Sequence, residues 1–263
     1  MSQLDFDENV ARSLERLYGT ADVLRRRAIV RAAVGTTAGD AILDVGCGPG
    51  FYVAELLDET GSSGRVVGVD SSPQMLAIAA KRTEGYENVD FHQGEATALP
   101  VQDSGFDRAL CVQVLEYVDD PTAALAEMHR ALRPGGQVVV WDVDWSTVSW
   151  HSADPARMAA VLDAWDGHLV HPALPRTLST RLRDAGFSDI AVEGHVFATN
   201  QLSPETYGGA LIRVLRDYVG GRPDAVSAED LESWAAEQRA LDETGEFFFS
   251  VVQYCYTAAR PQD

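Results

Sequence analysis

Short apolar segments that alternate with helical patterns set the plan of the first half of the chain. The apolar segments, each of the length of a buried strand, are residues 41–45, 65–70, 106–112 and 137–144. Helix signals lie between them, because Ser72 and Asp120 are N-cap residues that are each followed by a proline at the first helical position. This alternation predicts an α/β fold with a mostly parallel sheet.

The second half of the chain has longer connections between its predicted elements. Two helices and two strands are predicted over residues 155–165, 174–185, 189–197 and 247–258. Residues 200–246 form an insertion with two further helix signals, at Ser203 and Ser227, where a minimal domain needs only a short turn. We predict one domain over residues 1–263, with a helical leading segment over residues 1–34.

A glycine-rich turn follows the first predicted strand. The strand carries Asp44 and runs into Gly46, Gly48 and Gly50, which lack a Cβ and therefore let backbone approach a ligand closely. A strand, a tight turn and a helix open a nucleotide-binding unit. Dinucleotide sites need a small residue at the sixth position of this motif, and Phe51 stands there. Asp44 would also repel a phosphate and attract an ammonium or sulfonium group, so the turn favours a cationic nucleoside.

This turn closely resembles motif I of the class I S-adenosylmethionine (SAM)-dependent methyltransferases. Similar motifs follow in the family's order: a second strand that ends in Asp70, a segment over residues 89–100 and a fourth strand over residues 106–118. The resemblance is greatest to the small-molecule branch of ubiquinone/menaquinone, arsenite and natural-product methyltransferases. It implies a Rossmann-like, seven-stranded, mostly parallel sheet with an antiparallel last strand, helices on both faces and a helical lid insertion.

The resemblance also implies a SAM site. Asp70 would accept the ribose hydroxyls, Glu95 would accept from the adenine amino group, the Ala96 N–H would meet a ring nitrogen, and main-chain groups near Gln113 would hold the methionine end. From the residues alone, Asp70 could instead cap the next helix and Glu95 could be a solvated loop charge. The complete cofactor set is Tyr18, Asp44, Gly46, Cys47, Gly48, Asp70, Ser71, Met75, Glu95, Ala96 and Gln113.

The amino-acid composition limits the kinds of partner that the chain could bind. The net charge of −19, with one lysine and 40 acidic residues, argues against nucleic acid, which is bound through clustered basic side chains. The chain has no apolar run of about 18 residues, so we predict no membrane span and a cytoplasmic location. Cys47, Cys111 and Cys255 lie far apart, which predicts reduced, mostly buried thiols.

Methyl transfer from a sulfonium uses a donor that is already activated, so the enzyme mainly aligns the acceptor. We expect acceptor contacts in the loop after the fifth strand and beyond it, from Asp144, Trp145, His171 and Arg176. His151 is the first candidate for a base, and the alternative is that it is a solvated loop histidine without a catalytic role. His168 and His171 would share a helix face, but we predict no metal.

The predicted function is therefore SAM-dependent methylation of a small-molecule acceptor at oxygen, nitrogen or carbon. A NAD-dependent oxidoreductase is the alternative enzyme class, supported by the glycine turn and by Asp70. A catalytically silent SAM-binding scaffold is the alternative from another class. The acceptor and the oligomeric state stay open, since selectivity lies in loops.

Overall fold

A computed structural model describes residues 17–262. Eight α-helices and seven strands, numbered here in chain order, lie in this part of the chain. The helices are α1 (Ala21–Val34), α2 (Phe51–Thr60), α3 (Pro73–Arg82), α4 (Pro121–Ala131), α5 (Pro155–Asp166), α6 (Pro175–Asp184), α7 (Tyr207–Gly220) and α8 (Ala228–Thr244). The strands are β1 (Ala41–Val45), β2 (Arg65–Asp70), β3 (Val89–Gln93), β4 (Phe106–Val112), β5 (Leu132–Trp150), β6 (Ser188–Thr199) and β7 (Phe249–Ala259).

All seven strands belong to one sheet in the order β3-β2-β1-β4-β5-β7-β6. Strands β1 to β5 pair in parallel, with Val45 opposite Val69 on one side and opposite Cys111 on the other. The last strands are antiparallel. The predicted Rossmann-like sheet, with its strand number and its antiparallel last strand, is therefore confirmed.

The described chain divides into two compact units. The first consists of residues 17–26, 144–172 and 195–253, and the second consists of residues 27–143, 173–194 and 254–262. Each is treated by itself below, and the single-domain organisation stays a prediction. Of the predicted leading segment, helix α1 lies in the described part, whereas residues 1–16 lie outside the described residues.

The second unit has the larger hydrophobic core. Every residue of β1 is buried, as expected for a central parallel strand whose two faces are covered. On one face, Leu125 and Met128 of α4 are buried in the same cluster as Leu178 and Leu182 of α6. Their spacing of three and four residues places each pair on one side of its helix, so the two helices add their apolar sides to the core.

The predicted caps begin three of the helices. The Ser72 hydroxyl accepts from the Met75 N–H, Asp120 accepts from the Ala123 N–H, and Ser227 accepts from the Asp230 N–H. Helix α7 begins later than predicted, because Thr206 is its N-cap and Ser203 stands before it.

Strand β5 corrects the predicted loop after residue 144. The strand continues to Trp150, and the Thr147 hydroxyl accepts from the Val252 N–H at 2.9 Å. Its start also differs from the prediction, since Gly135 donates to the Arg260 carbonyl at 2.9 Å and Arg260 donates to the Gly136 carbonyl at 2.8 Å. The Pro-Gly-Gly sequence thus ends helix α4 as predicted but does not interrupt backbone pairing.

The structure corrects the prediction that His168 and His171 share a helix face. Helix α5 stops at Asp166, so the two histidines lie in the turns that follow and do not share a helix face. Among the described residues, no group of three or more His, Cys, Asp or Glu side chains could hold a metal ion. No described helix is long and apolar enough to cross a membrane.

Two glycines on α7 provide a test of the packing in the first unit. A Cβ on Gly208 would lie 2.4 Å from Phe249 Cγ, whereas a Cβ on Gly220 would lie 3.7 Å from its nearest neighbour, Leu231. We expect Gly208→Ala to lower the free energy of unfolding by about 1–3 kcal/mol through overpacking. Gly220→Ala should leave it unchanged or raise it by less than about 1 kcal/mol. Urea unfolding of both variants measures this, and equal stabilities would contradict the packing described here.

Candidate active site

The glycine turn takes its shape from backbone that other residues adopt poorly. Gly46, Gly48 and Gly50 have φ angles of 70°, 51° and 79°, in the left-handed region. A Cβ on Gly46 would lie 2.2 Å from a Val114 methyl, and a Cβ on Gly50 would lie 2.7 Å from the Ala79 Cβ. Two of the three glycines are therefore required by close packing within the protein.

Gly48 is different, because the space beside it is open. A Cβ built on Gly48 meets nothing within 4 Å. Asp70, at the end of the neighbouring strand β2, accepts the Gly48 N–H at 2.8 Å through one carboxylate oxygen and the Ser72 N–H at 2.8 Å through the other. Each oxygen keeps a further lone pair, so both could still accept a hydroxyl hydrogen. Asp70 therefore does hold the start of the next helix, as the alternative interpretation expected. This contact does not prevent its carboxylate from also accepting the ribose hydroxyls.

Asp44 carries a buried carboxyl group. Its side chain is 1 % exposed, and its Oδ2 has no hydrogen-bond partner among the described residues. Burial, together with the nearby charge of Asp70, raises the pKa of Asp44 to about 8. A positively charged ligand group would reverse this effect by stabilising the ionised carboxylate, whereas a phosphate would add to the repulsion. The two carboxyl groups, Asp44 and Asp70, therefore fit a cationic cofactor.

Two further buried carboxyl groups lie in this unit. Asp142 on β5 and Glu116 after β4 are both fully buried. Burial and the charges of Asp142 and Asp44 hold the pKa of the Cys111 thiol well above its usual range. Sequence analysis did not assign a role to Glu116, and it considered Asp142 only as part of the stretch expected to face the acceptor and as a metal ligand beside Asp144, where it predicted no metal. A charged residue inside an apolar strand was the available signal for Asp142, and an acid directly after strand β4 was the signal for Glu116.

Gln113 has an unusual backbone at the carboxyl end of β4. Its φ is 54°, and its N–H donates to the Trp141 carbonyl at 2.7 Å. A non-glycine residue in the left-handed region costs conformational energy and is common at ligand sites. This turn directs the main chain away from the sheet, at the position predicted for the methionine end of the cofactor.

The predicted adenine corner joins the end of β2 through backbone contacts. The Gly94 N–H donates to the Asp70 carbonyl at 3.1 Å, and the Ala98 N–H donates to the Glu95 carbonyl at 3.0 Å. The Glu95 side chain is exposed, Ala96 is half-buried, and Met75 on α3 is buried. The predicted adenine contacts thus lie on a corner that Asp70 helps to hold.

Phe51, whose size argued against a dinucleotide, lies between two arginines. Its ring centre is 3.6 Å from the Arg82 guanidinium carbon and 4.6 Å from that of Arg27. Arg82 also donates to the Pro49 carbonyl at 2.8 Å, so these cation–π contacts hold the turn as well as the helix. In a dinucleotide fold, the small residue at the sixth position of the glycine motif allows close packing at the turn. Here Gly50, which packs against Ala79 of helix α3, allows such close packing instead.

The remaining predicted cofactor residues have smaller structural roles. Cys47 is buried and its N–H donates to the Val69 carbonyl, while burial holds the pKa of its thiol well above its usual range. All three cysteines are free and buried, as predicted. Ser71 is exposed, and Tyr18 is half-buried in the first unit. Their cofactor roles stay predictions.

Several predicted acceptor residues come together in the first unit. The Trp145 N–H donates to the Pro172 carbonyl at 2.9 Å, next to the half-buried His171. Asp144 is buried and accepts from the Ser146 hydroxyl at 2.5 Å. His151 is exposed directly after β5, and Arg176 is exposed on α6 in the second unit. These positions are compatible with contacts to an acceptor, and the acceptor roles of the four residues stay predictions.

An aromatic cluster surrounds Trp145. The Trp145 ring centre lies 5.6 Å from that of Trp165, which lies 3.9 Å from His168 and 5.5 Å from Tyr218. Burial lowers the pKa of His168 to about 4, so this imidazole is neutral at pH 7. The rings of this cluster therefore pack closely against one another.

The fold and the site define a nucleotide-binding α/β protein suited to a cationic cofactor. The methyltransferase-domain family matches residues 36–185, more than half of the chain, and the chain belongs to this family. Its cofactor is S-adenosylmethionine, as fold, family and site agree. The dinucleotide alternative loses its support, because the glycine turn and Asp70 are accounted for by this family.

Two curated relatives and one solved structure are similar to the chain. An uncharacterized 37.1 kDa protein in transposon Tn4556 of Streptomyces fradiae is 33% identical over 249 residues, which cover 93% of this chain and 70% of the relative. Demethylmenaquinone methyltransferase of Staphylococcus aureus is 35% identical over 146 residues, which cover 54% of this chain and 60% of that enzyme. The structure of Haemonchus contortus phosphoethanolamine N-methyltransferase 2 with SAM has a TM-score of 0.64 at 16% identity and covers 98% of this chain and 58% of its own, which shows the fold.

Gly48 offers a direct test of the cofactor position. Gly48→Val would place a side chain in the open space, and Gly245→Val is the matched control, because Gly245 is also left-handed, with φ 76° and ψ 17°, and also has an open Cβ position. Both variants should lose about 1–2 kcal/mol of stability through left-handed strain. Only Gly48→Val should weaken SAM binding at least about tenfold, near 1.4 kcal/mol, in calorimetry. Equal affinities in the two folded variants would show that the cofactor lies elsewhere.

The raised pKa of Asp44 predicts a proton change on binding. Below a pKa of about 8 the cofactor-free carboxyl is mostly protonated, and a cationic cofactor favours the ionised form. Binding at pH 7 should therefore release up to about one proton, and affinity should rise with pH until it levels above that pKa. Calorimetry in buffers of different ionisation enthalpy measures the release, with Asp44→Asn as the control that lacks it. Identical proton release by both proteins would contradict this assignment.

Proposed function

We propose that the chain transfers the methyl group of SAM to a small-molecule acceptor by in-line displacement. SAM, when bound, supplies a methyl group on a positively charged sulfur that is already activated for attack. The observation that carries the proposal is the buried Asp44 carboxyl, whose Oδ2 lacks a partner in the described chain, near the Asp70 carboxylate. A cationic ligand would favour the ionised Asp44 carboxylate, whereas a neutral or anionic ligand would leave this carboxyl protonated.

The chain's own groups would act by positioning and by charge. Asp70 would bind hydroxyl groups while it holds the Gly48 N–H, and the strained turn at Gln113 would present main-chain groups to the cofactor. Asp44 would stabilise positive charge in a site from which water is excluded. Because the donor needs no further activation, alignment of the acceptor is the main source of rate enhancement.

The small-molecule class of the acceptor has two kinds of support. The net charge of −19 disfavours a phosphate backbone as partner. Among relatives, the name of the Staphylococcus aureus enzyme assigns methylation of demethylmenaquinone, and the Haemonchus enzyme is named for phosphoethanolamine. These matches extend to 60% and 58% of the relatives' lengths, so their acceptors indicate a class and not a substrate. Cytoplasmic residence likewise stays a prediction.

A base is needed only where the acceptor must lose a proton as it attacks. His151 is the proposed base for such an acceptor, because it is exposed at the end of β5 and can exchange a proton with solvent. The neutral, buried His168 is a poorer candidate, since its pKa near 4 makes it a weak base. An acceptor with a free lone pair would need neither.

Methyl transfer can be tested without a known acceptor. Purified protein is incubated with methyl-labelled SAM and a fractionated small-metabolite extract, and labelled products are resolved by mass spectrometry. The parent should form a labelled product, whereas Gly48→Val should form at least about tenfold less of it, since the variant binds the cofactor more weakly. If the parent binds SAM but forms no labelled product from any fraction, the chain is a SAM-binding scaffold and the proposed transfer is wrong.

A further inference from the structure

Strand β6 forms one edge of the sheet. Among the described strands its single neighbour is β7, so the sheet ends at the outer side of β6. The strand has 12 residues, Ser188–Thr199, whereas β3 at the opposite edge has 5. The outer side of an edge strand presents main-chain N–H and C=O groups, which makes it a template for a further strand.

Most of β6 is exposed to solvent. Val192 and Val196 are 51 % and 57 % exposed, and because side chains alternate along a strand they lie on the same face as the exposed Gly194 between them. Of the 12 residues, all of which the structure describes, Phe197 alone is buried. Natural edges are protected by proline, by lysine or by short length. Strand β6 contains neither residue type and is long, so its edge lacks these protections.

The Val196 carbonyl shows which backbone groups of β6 face outward. It accepts from the Arg25 guanidinium at 3.3 Å, so it is accessible from outside the sheet. Backbone groups of an antiparallel strand point to the same side at every second residue, so those of Val192 and Gly194 share this direction. The Arg25 side chain is 56 % exposed, and a hydrogen bond exposed to water contributes little, so an incoming main-chain N–H can replace it.

The sequence of β6 is self-complementary about Gly194. When two copies of the strand run antiparallel with Gly194 opposite Gly194, residues at equal distances on either side of it face each other. The facing pairs are then Glu193 with His195, Val192 with Val196, Ala191 with Phe197, and Ile190 with Ala198. Three of these pairs join apolar side chains, and the fourth places an acid opposite an imidazole and not opposite another acid. Facing apolar pairs stabilise a sheet, whereas facing like charges destabilise it.

Neighbouring registers bring like charges together. A centre at Glu193 would place this acid opposite its own copy, and a centre at Ala191 would place it opposite Asp189. Each chain has a net charge of −19, so two copies associate best through a strip of surface that avoids facing acids. The centre at Gly194 does so, and it matches the two exposed valines, Val192 and Val196, with each other.

We infer that β6 pairs with β6 of a second copy of this chain, antiparallel and centred on Gly194, so that the two sheets join across a two-fold axis. Such a contact is isologous, since each copy offers the same strip of residues to the other. The occupant of the edge is a second copy, because the matched pairs arise when the strand meets its own sequence. The inference does not depend on methyl transfer, as none of the predicted cofactor residues lies on β6.

Two exposed valines give a matched test. Val192 lies on the edge, and Val170, which is 45 % exposed, lies outside the described strands. Val192→Lys and Val170→Lys therefore make the same change of charge and size at two surface positions. Sedimentation velocity over a range of concentrations should show a dimer of the parent. Val192→Lys should raise the dimer Kd at least about tenfold, because a lysine then faces Val196, whereas Val170→Lys should leave it within about twofold.

Cysteine pairs test the register. Facing Cα atoms of antiparallel strands lie about 4.5–5.5 Å apart, which a disulfide can span. Val192 of one copy would face Val196 of the other, while the two Val192 residues would be offset by four positions, about 13 Å. An equimolar mixture of Val192→Cys and Val196→Cys should therefore form a disulfide-linked dimer under mild oxidation, whereas neither variant alone should. The parent is the control, since its three cysteines are buried.

Circular dichroism and urea midpoints establish that each variant is folded. A parent that stays monomeric at every concentration, or equal dimer affinities of Val192→Lys and Val170→Lys, would overturn the inference. So would the absence of a crosslink in the mixture, or crosslinking of Val192→Cys with itself at the rate of the mixture, which would indicate a parallel or shifted arrangement. Because all measurements are made without SAM, failure of the proposed methyl transfer would leave their outcome unchanged.

Discussion

The hydrogen bond between the Gly48 N–H and the Asp70 carboxylate is the contact on which the geometry of the predicted cofactor site depends. It joins the turn after β1 to the end of β2, and the second oxygen of the same carboxylate holds the start of α3 at Ser72. The Asp70 carbonyl also accepts from Gly94, at the predicted adenine corner. One residue thereby fixes three segments that are distant in sequence. A ligand that binds there meets a preformed surface and need not order it.

The charge of the site follows from where its carboxyl groups are buried. Asp44, Glu116 and Asp142 lie in the interior of the second unit, where an uncompensated negative charge is costly. The raised pKa of Asp44 reflects that cost, and a cationic ligand removes it. We therefore expect selectivity for a sulfonium nucleoside to come from the electrostatics of Asp44, while the glycines determine the shape of the turn.

Features that depend on residues close together in sequence were predicted correctly, whereas features that depend on residues far apart in sequence were not. Caps, turns and buried strands depend on a few neighbouring residues, so Ser72, Asp120 and the glycine turn were correctly predicted. The length of β5 depends on pairing with residues about a hundred positions later, as at Thr147 and Val252, and local composition suggested a loop instead. The partnership of Arg27 and Arg82 around Phe51 was equally invisible, because it needs the tertiary fold.

Similar proteins inform different parts of this chain, depending on how much of its length they match. The cofactor turn is contiguous, and the methyltransferase-domain match over residues 36–185 suffices to place the chain in the family. An open groove at the end of β5 has Trp150 and Met158 from one segment and Phe248 from another about ninety residues later. An alignment must span both segments to include these residues, as the 249-residue match to the Streptomyces fradiae protein does. Comparison across matches of that length therefore covers parts of the first unit that the methyltransferase-domain match over residues 36–185 does not reach.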